Sequence, residues 1–176
     1  MSLKRLVIDG FGQIELNQVA FRRDGRIEAQ AKIAEGIDYI ENGMLLAIDP
    51  VARTVGMPTA NDGLIALHYS TEHMYDERAN ALKDWKLEKN SFLPRLGYLA
   101  TGDKFTTNCI AYDDAEYTSE DALKEALKAG VVYGQPCELG AIQLTAKKPT
   151  GVVCLQVVKP TTMPDGSFGI KFISLN

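Results

Sequence analysis

Two histidines and three cysteines are the side chains with the most chemical potential in this 176-residue sequence. His68 and His73 stand five positions apart, with Glu72 beside the second. A helical zinc pair needs histidines about four positions apart and a strand needs an even offset, so neither geometry brings both rings to one ion. A hydrolytic triad would join a histidine to Ser2, Ser70, Ser91, Ser119, Ser167 or Ser174. None of these occupies the Gly-x-Ser-x-Gly elbow that lifts a nucleophile above a sheet. Ser70, near both histidines, reads as a strand-end residue. Cys109 is a candidate nucleophile with His68 as its base, provided the fold brings them together. Cys109, Cys137 and Cys154 lack the Cys-x-x-Cys spacing of a zinc or redox site and read as buried thiols that pack as small hydrophobes.

The acidic run Asp113, Asp114, Glu116, Glu120 and Asp121 offers hard oxygens to calcium. It lacks the spaced ligands and central glycine of an EF-hand loop, and reads as a solvated turn leading into a helix cap. Asp9-Gly10-Phe11-Gly12 has too few glycines, and no helix start after it, to cradle a phosphate. Trp85 with Tyr69, Tyr75, Tyr98 and Tyr112 could line a sugar-binding face, a protein interface or a core, and the sequence leaves these uses open. The expectation is therefore of no catalytic residue, metal or cofactor. On it, His68→Ala, His73→Ala and Cys109→Ala each leave partner binding nearly intact.

The elements that would position these residues are written as turns against short apolar runs. Glu41-Asn42-Gly43 precedes Met44 to Ile48, Asn61-Asp62-Gly63 precedes Leu64 to Tyr69, and Leu96 to Ala100 runs into Thr101-Gly102-Asp103. Arg53 to Pro58 is the expected return partner of Met44 to Ile48. Leu3 to Ile8 and Gln13 to Ala20 read as strands. Asp24-Gly25 predicts a hairpin turn between Val19–Arg22 and Ile27–Ile33. Glu35 to Asn42 is a loop or a short helical turn, and the two are not separated. Ser91 to Ala100 and Lys104 to Tyr112 read as β structure.

One helix is clear, near residues 119–129, with Thr118 and Asp121 as an Asp variant of the capping box and Ala129-Gly130 at its end. Short strands come next near Val131–Tyr133 and Ala141–Thr145. Val152–Val158 and Phe168–Leu175 form a C-terminal hairpin. The predicted fold is mainly β (α+β), a compact β-barrel or sandwich-like body of short strands and hairpins. Residues 1–176 make one domain, with about 1–40 and about 152–175 as elaborations.

Charge and hydropathy narrow the partners. The formal net charge is −4, with six basic and ten acidic side chains in residues 61–117 against four lysines and one aspartate in 147–176. That balance disfavours nucleic acid, which needs clustered Lys and Arg, and suits head-to-tail contact between copies. No apolar run approaches the roughly 20 residues that span a bilayer, so no membrane partner is expected. The N-terminal apolar run stops at Asp9, too soon for a signal peptide, which implies synthesis in a cytoplasm. The irregular stretch from Thr71 to Asn90 is too long for a simple connection. Within it Tyr75, Leu82, Trp85 and Leu87 are the candidate interface residues, Trp85 as the anchor.

From Asn42 to Asp113 the chain resembles the head-decoration and minor capsid proteins of tailed bacteriophages. The resemblance lies in Asn42-Gly43-Met44-Leu45-Leu46, in Asn61-Asp62-Gly63-Leu64-Ile65-Ala66-Leu67 and in Gly102-Asp103-Lys104-Phe105. It implies a non-enzymatic structural protein, made in the host bacterial cytoplasm, that binds the outside of a capsid and stabilises it. The partners it implies are the major capsid protein and further copies of the chain in a homotrimer. A head fibre base or tail-associated protein is a related possibility. The alternatives from other classes are a small β-rich hydrolase or nucleotide-processing enzyme with its site between subunits, and a carbohydrate-binding β module.

Overall fold

A computed structural model of the chain describes residues 2–59, 62–71, 82–151 and 153–175. Strands β1 (Leu3–Arg5) and β2 (Ile14–Gln18) lead to a one-turn helix α1 (Phe21–Asp24) and then to β3 (Ile27–Glu28), β4 (Lys32–Ile33) and β5 (Tyr39–Ile40). Next come β6 (Leu45–Asp49), β7 (Thr54–Gly56) and β8 (Ile65–His68), then a 3-10 turn at Leu82–Asp84, β9 (Leu87–Glu88) and β10 (Leu96–Gly97). The remainder comprises β11 (Lys104–Thr107), β12 (Ile110–Asp113), helix α2 (Glu120–Ala129), β13 (Tyr133–Pro136), β14 (Ile142–Thr145), β15 (Leu155–Thr162) and β16 (Phe168–Ser174).

These strands form an eight-stranded sheet in the order β1-β12-β14-β13-β15-β16-β11-β2, a six-stranded sheet in the order β3-β10-β8-β6-β7-β4, and the small pair β5-β9. The end strands of the large sheet, β1 and β2, do not pair with each other, so no barrel closes. The body is sandwich-like, the second of the two mainly β arrangements expected.

The reason β6 and β8 read as continuous apolar runs is that their sheet is covered on both faces. Leu45, Ile65 and Leu67 belong to a core shared with Phe105, Ile110, Ile142, Phe172 and the helix residue Leu123. Leu46, Ile48 and Ala66 point the other way, into a second core with Ile40, Leu96 and Cys109. This alternation is the two-residue period of a strand, with an apolar partner on each side. Proline positions obey the ladder: Pro160 lies in the part of β15 that β13 does not reach, because β13 pairs only with Leu155 and Gln156.

Several expectations need correction. Asp24-Gly25 makes no hairpin: Phe21–Asp24 is helical, and Gly25 uses its positive φ of 67° as the left-handed cap of that turn. The expected second arm, Ile27–Ile33, divides into β3, which pairs with β10, and β4, which pairs with β7, so neither part meets the expected first arm. The helix is capped one residue later than expected, by Ser119, whose hydroxyl accepts the Ala122 N–H at 3.2 Å. Lys104 to Tyr112 is two strands, broken at Asn108, because the Thr107 hydroxyl takes the Cys109 N–H and bends the chain. Glu35 to Asn42 holds β5, paired with β9.

Candidate functional site

Arg5 sits at the end of β1 and Glu41 in the turn before β6, and the two-sheet arrangement brings them together. Arg5 Nη1 and Nη2 donate to the Glu41 carboxylate, at 2.7 and 2.9 Å, and the Gly12 N–H donates to the same group at 2.7 Å. Glu41 is 3% exposed. Burial is the largest influence and opposes the Arg5 charge, but the Glu41 hydrogen bonds and the electrostatic pull of Cys109, Glu41 and Tyr39 together outweigh it and raise the guanidinium pKa. A buried carboxylate with three charge-assisted or backbone bonds is a fixed structural brace.

The backbone carbonyl of Glu41 reaches a second group, His68, at the end of β8. His68 Nδ1 lies 2.7 Å from that carbonyl and Nε2 lies 2.7 Å from the Ser70 hydroxyl. A carbonyl only accepts, so Nδ1 carries the proton; Nε2 is then bare and accepts from Ser70. The Ser70 oxygen in turn accepts the Arg95 N–H at 2.9 Å. Trp85 stacks against the imidazole, with ring centroids 6.0 Å apart and planes 29° apart. His68 has no exposed surface. Burial pushes its pKa down to about 4, against the opposing pull of the Glu41 carbonyl.

The Cys109–His68 pair, weighed as a possible nucleophile and base, does not form. Both ring nitrogens of His68 are committed to Glu41 and Ser70, while the Cys109 sulfur lies 3.6 Å from Arg5 Nη2. Burial pushes the Cys109 thiol up to about 12, although Arg5 opposes this. Cys109 is therefore a packed thiol, and Cys137 and Cys154 are buried as well. Burial also raises Cys137, to about 11.

The expected interface residues separate. Tyr75 and His73 lie outside the described residues. Leu87 is 3% exposed and packs in the second core opposite Ile40, so it has no free surface to offer a partner. Trp85 is half-buried against that same core, and Leu82 is half-buried in the 3-10 turn. Tyr69 and Tyr112 are buried, which removes them from any sugar-binding face. The acidic run is spent on turns and contacts: Asp114 holds Lys4 and the Ser2 N–H, Asp113 accepts the Ala115 N–H, and Glu120 accepts the Val7 N–H. Among the described residues no group of three or more His, Cys, Asp and Glu could hold a metal ion.

The Arg5–Glu41 brace escaped the sequence reading. Its signals were an arginine inside the apolar run Leu3–Ile8 and a glutamate directly before a buried strand, since a charge in such a setting needs a partner. Away from this cluster, a cleft of about 690 Å³ opens beside the start of β8, between Leu3, Ile65, Gln135 and Val153. Comparison with known proteins finds no family model that matches the chain, no curated protein similar to it and no solved structure that matches it.

Proposed function

We propose that the protein is a non-enzymatic structural component of a tailed-bacteriophage virion, which binds the outside of the capsid and stabilises it. The observation that supports a structural role is how Glu41 and His68 spend their bonds. The carboxylate, its backbone carbonyl and both imidazole nitrogens hold β1, the Gly12 loop, β8 and the β10 approach to one another. Groups saturated in this way stiffen a body rather than wait for a substrate. The mainly β architecture and the turn-and-strand units from Asn42 to Asp113 support the capsid reading.

Purified protein is to be mixed with mature tailed-phage capsids assembled from a major capsid protein. Saturable co-sedimentation, and a higher capsid melting temperature at saturation, are the expected results. Absence of binding to mature capsids would sink this function.

One observation favours a hydrolase instead. Ser70 donates to a histidine nitrogen whose ring is held by an acceptor on the other side, which is the relation of nucleophile to base. Against it stands a base with a pKa of about 4, well below the range in which a neutral-pH base is effective. Labelling of Ser70 by a fluorophosphonate at neutral pH, abolished in His68→Ala but not by a matched loss of stability, would establish the hydrolase and remove the structural reading.

A further inference from the structure

Two surface features of this chain complement each other, and they lie at opposite ends of one strand. The first is the loop after β9, where Phe92 is 80% exposed and the adjacent Leu93 52%. Its base is fixed on both sides. Asn90 takes a left-handed φ of 64°, the Ser91 N–H and hydroxyl both donate to the Glu88 carbonyl, and Pro94 is buried. Beyond it, the Arg95 carbonyl accepts the Tyr69 N–H and the Arg95 N–H donates to Ser70. The two apolar side chains are therefore held out in water by an ordered support, an arrangement that lowers the cost of ordering on binding. Lys89 and Arg95 bracket the tip, and the nearby Glu88 charge is answered by Lys86 at 3.2 Å.

The second feature is the cleft beside the start of β8. Leu3, Ile65 and Gln135 line it, and its charged lining is acidic throughout: Asp62, Asp113 and Glu138, with no Lys or Arg among the described lining residues. An apolar tip flanked by cations fits an apolar cleft rimmed by carboxylates. The tip is rooted at Ser70, two residues beyond the end of β8, and the cleft lies at Ile65 at its start, so five residues of extended chain, roughly 16 Å at about 3.3 Å per residue, separate the two. A copy cannot place its own tip in its own cleft.

The geometry points to head-to-tail association of this chain with itself, in which the Phe92–Leu93 tip of one copy enters the Asp62–Asp113–Glu138 cleft of the next. Such a contact uses two different patches, so it leaves one tip and one cleft unfilled until a ring closes. The inference rests on the virion reading for its purpose, as the contact that would build a ring on the capsid, while the contact itself is testable without a capsid.

Sedimentation velocity of the full chain across a concentration series is the experiment. It is run on the wild type, on the tip variant Phe92→Asp with Leu93→Asp, and on the cleft variant Glu138→Lys with Gln135→Trp. The wild type is expected to form a closed oligomer that weakens with added salt, and each variant alone to bind itself at least tenfold more weakly. An equimolar mixture of the two variants is expected to give a dimer and nothing larger, because only one tip and one cleft remain between them. Thermal melts check folding; should the tip variant melt early, Phe92→Ser with Leu93→Ser replaces it.

A wild type monomeric at every concentration overturns the inference, as do variants that assemble like the wild type. Association retained by the cleft variant and lost by the tip variant also overturns it, since that pattern means tip-to-tip pairing. Capsid binding by a monomer removes head-to-tail association and leaves the virion function. Assembly without capsid binding does the reverse.

Discussion

Burial holds His68 neutral in the folded chain, with a pKa of about 4 against an ordinary value near 6.5. Between those pH values the unfolded chain takes up a proton that the folded chain refuses. Stability is thus complete above about pH 6.5 and falls as the pH drops towards 4, by about 3 kcal/mol in all from this residue. Urea titrations at a series of pH values should show that fall, and His68→Gln should flatten it relative to the wild type while lowering stability at neutral pH. Trp85, expected at an interface, instead stacks on this ring and packs against the second core. Trp85→Ala is expected to cost about 2 kcal/mol, less than a fully buried Trp. Under conditions where the variant is folded its oligomeric state should match the wild type. Lost assembly with unchanged urea stability would return Trp85 to the surface role.

At the scale of the element, the Asn42-Gly43 turn decides how β6 enters its sheet. Gly43 has a φ of 84°, and a Cβ there would collide with the Thr107 hydroxyl, while its N–H donates to the His68 carbonyl. Gly36 has almost the same φ, 85°, but opens on empty space. Gly43→Ala combines backbone strain with a collision in the core and should cost more than about 2 kcal/mol. Gly36→Ala should cost only about 1 kcal/mol, the strain alone. Equal losses in thermal melts would show that the turn yields, and that β6 is not pinned there. Gly25 is a related case: a positive φ suits a hairpin turn and a helix end alike, and here the helical turn Phe21–Asp24 before it makes it a helix end.

Across the whole molecule, β6 and β8 are among the best protected elements. Each is paired on both edges and covered on both faces, whereas β1, β2, β3 and β4 end their sheets. Native-state hydrogen exchange should find the slowest amides in Leu45–Ile48 and Ile65–His68, at rates set by global unfolding, with β1 and β2 opening earlier. Faster exchange in β8 than in β2 would mean that the six-stranded sheet separates from the eight-stranded one before the body unfolds.

The sequence determined those parts of the fold whose partners are close along the chain. The β6–β7 hairpin, the β8 strand, the helix ending at Ala129 and the β15–β16 hairpin were all legible, because apolar period, turn glycines and a cap residue are local signals. The tertiary structure alone decided that β1 pairs with β12 and that β12 runs parallel to β14. It also decided that Arg5 meets Glu41, and that His68 turns to the Glu41 carbonyl rather than to Cys109. Pairings of that kind join segments tens of residues apart, and their free energy comes from desolvation and burial after the sheets assemble, which no window of neighbouring residues records.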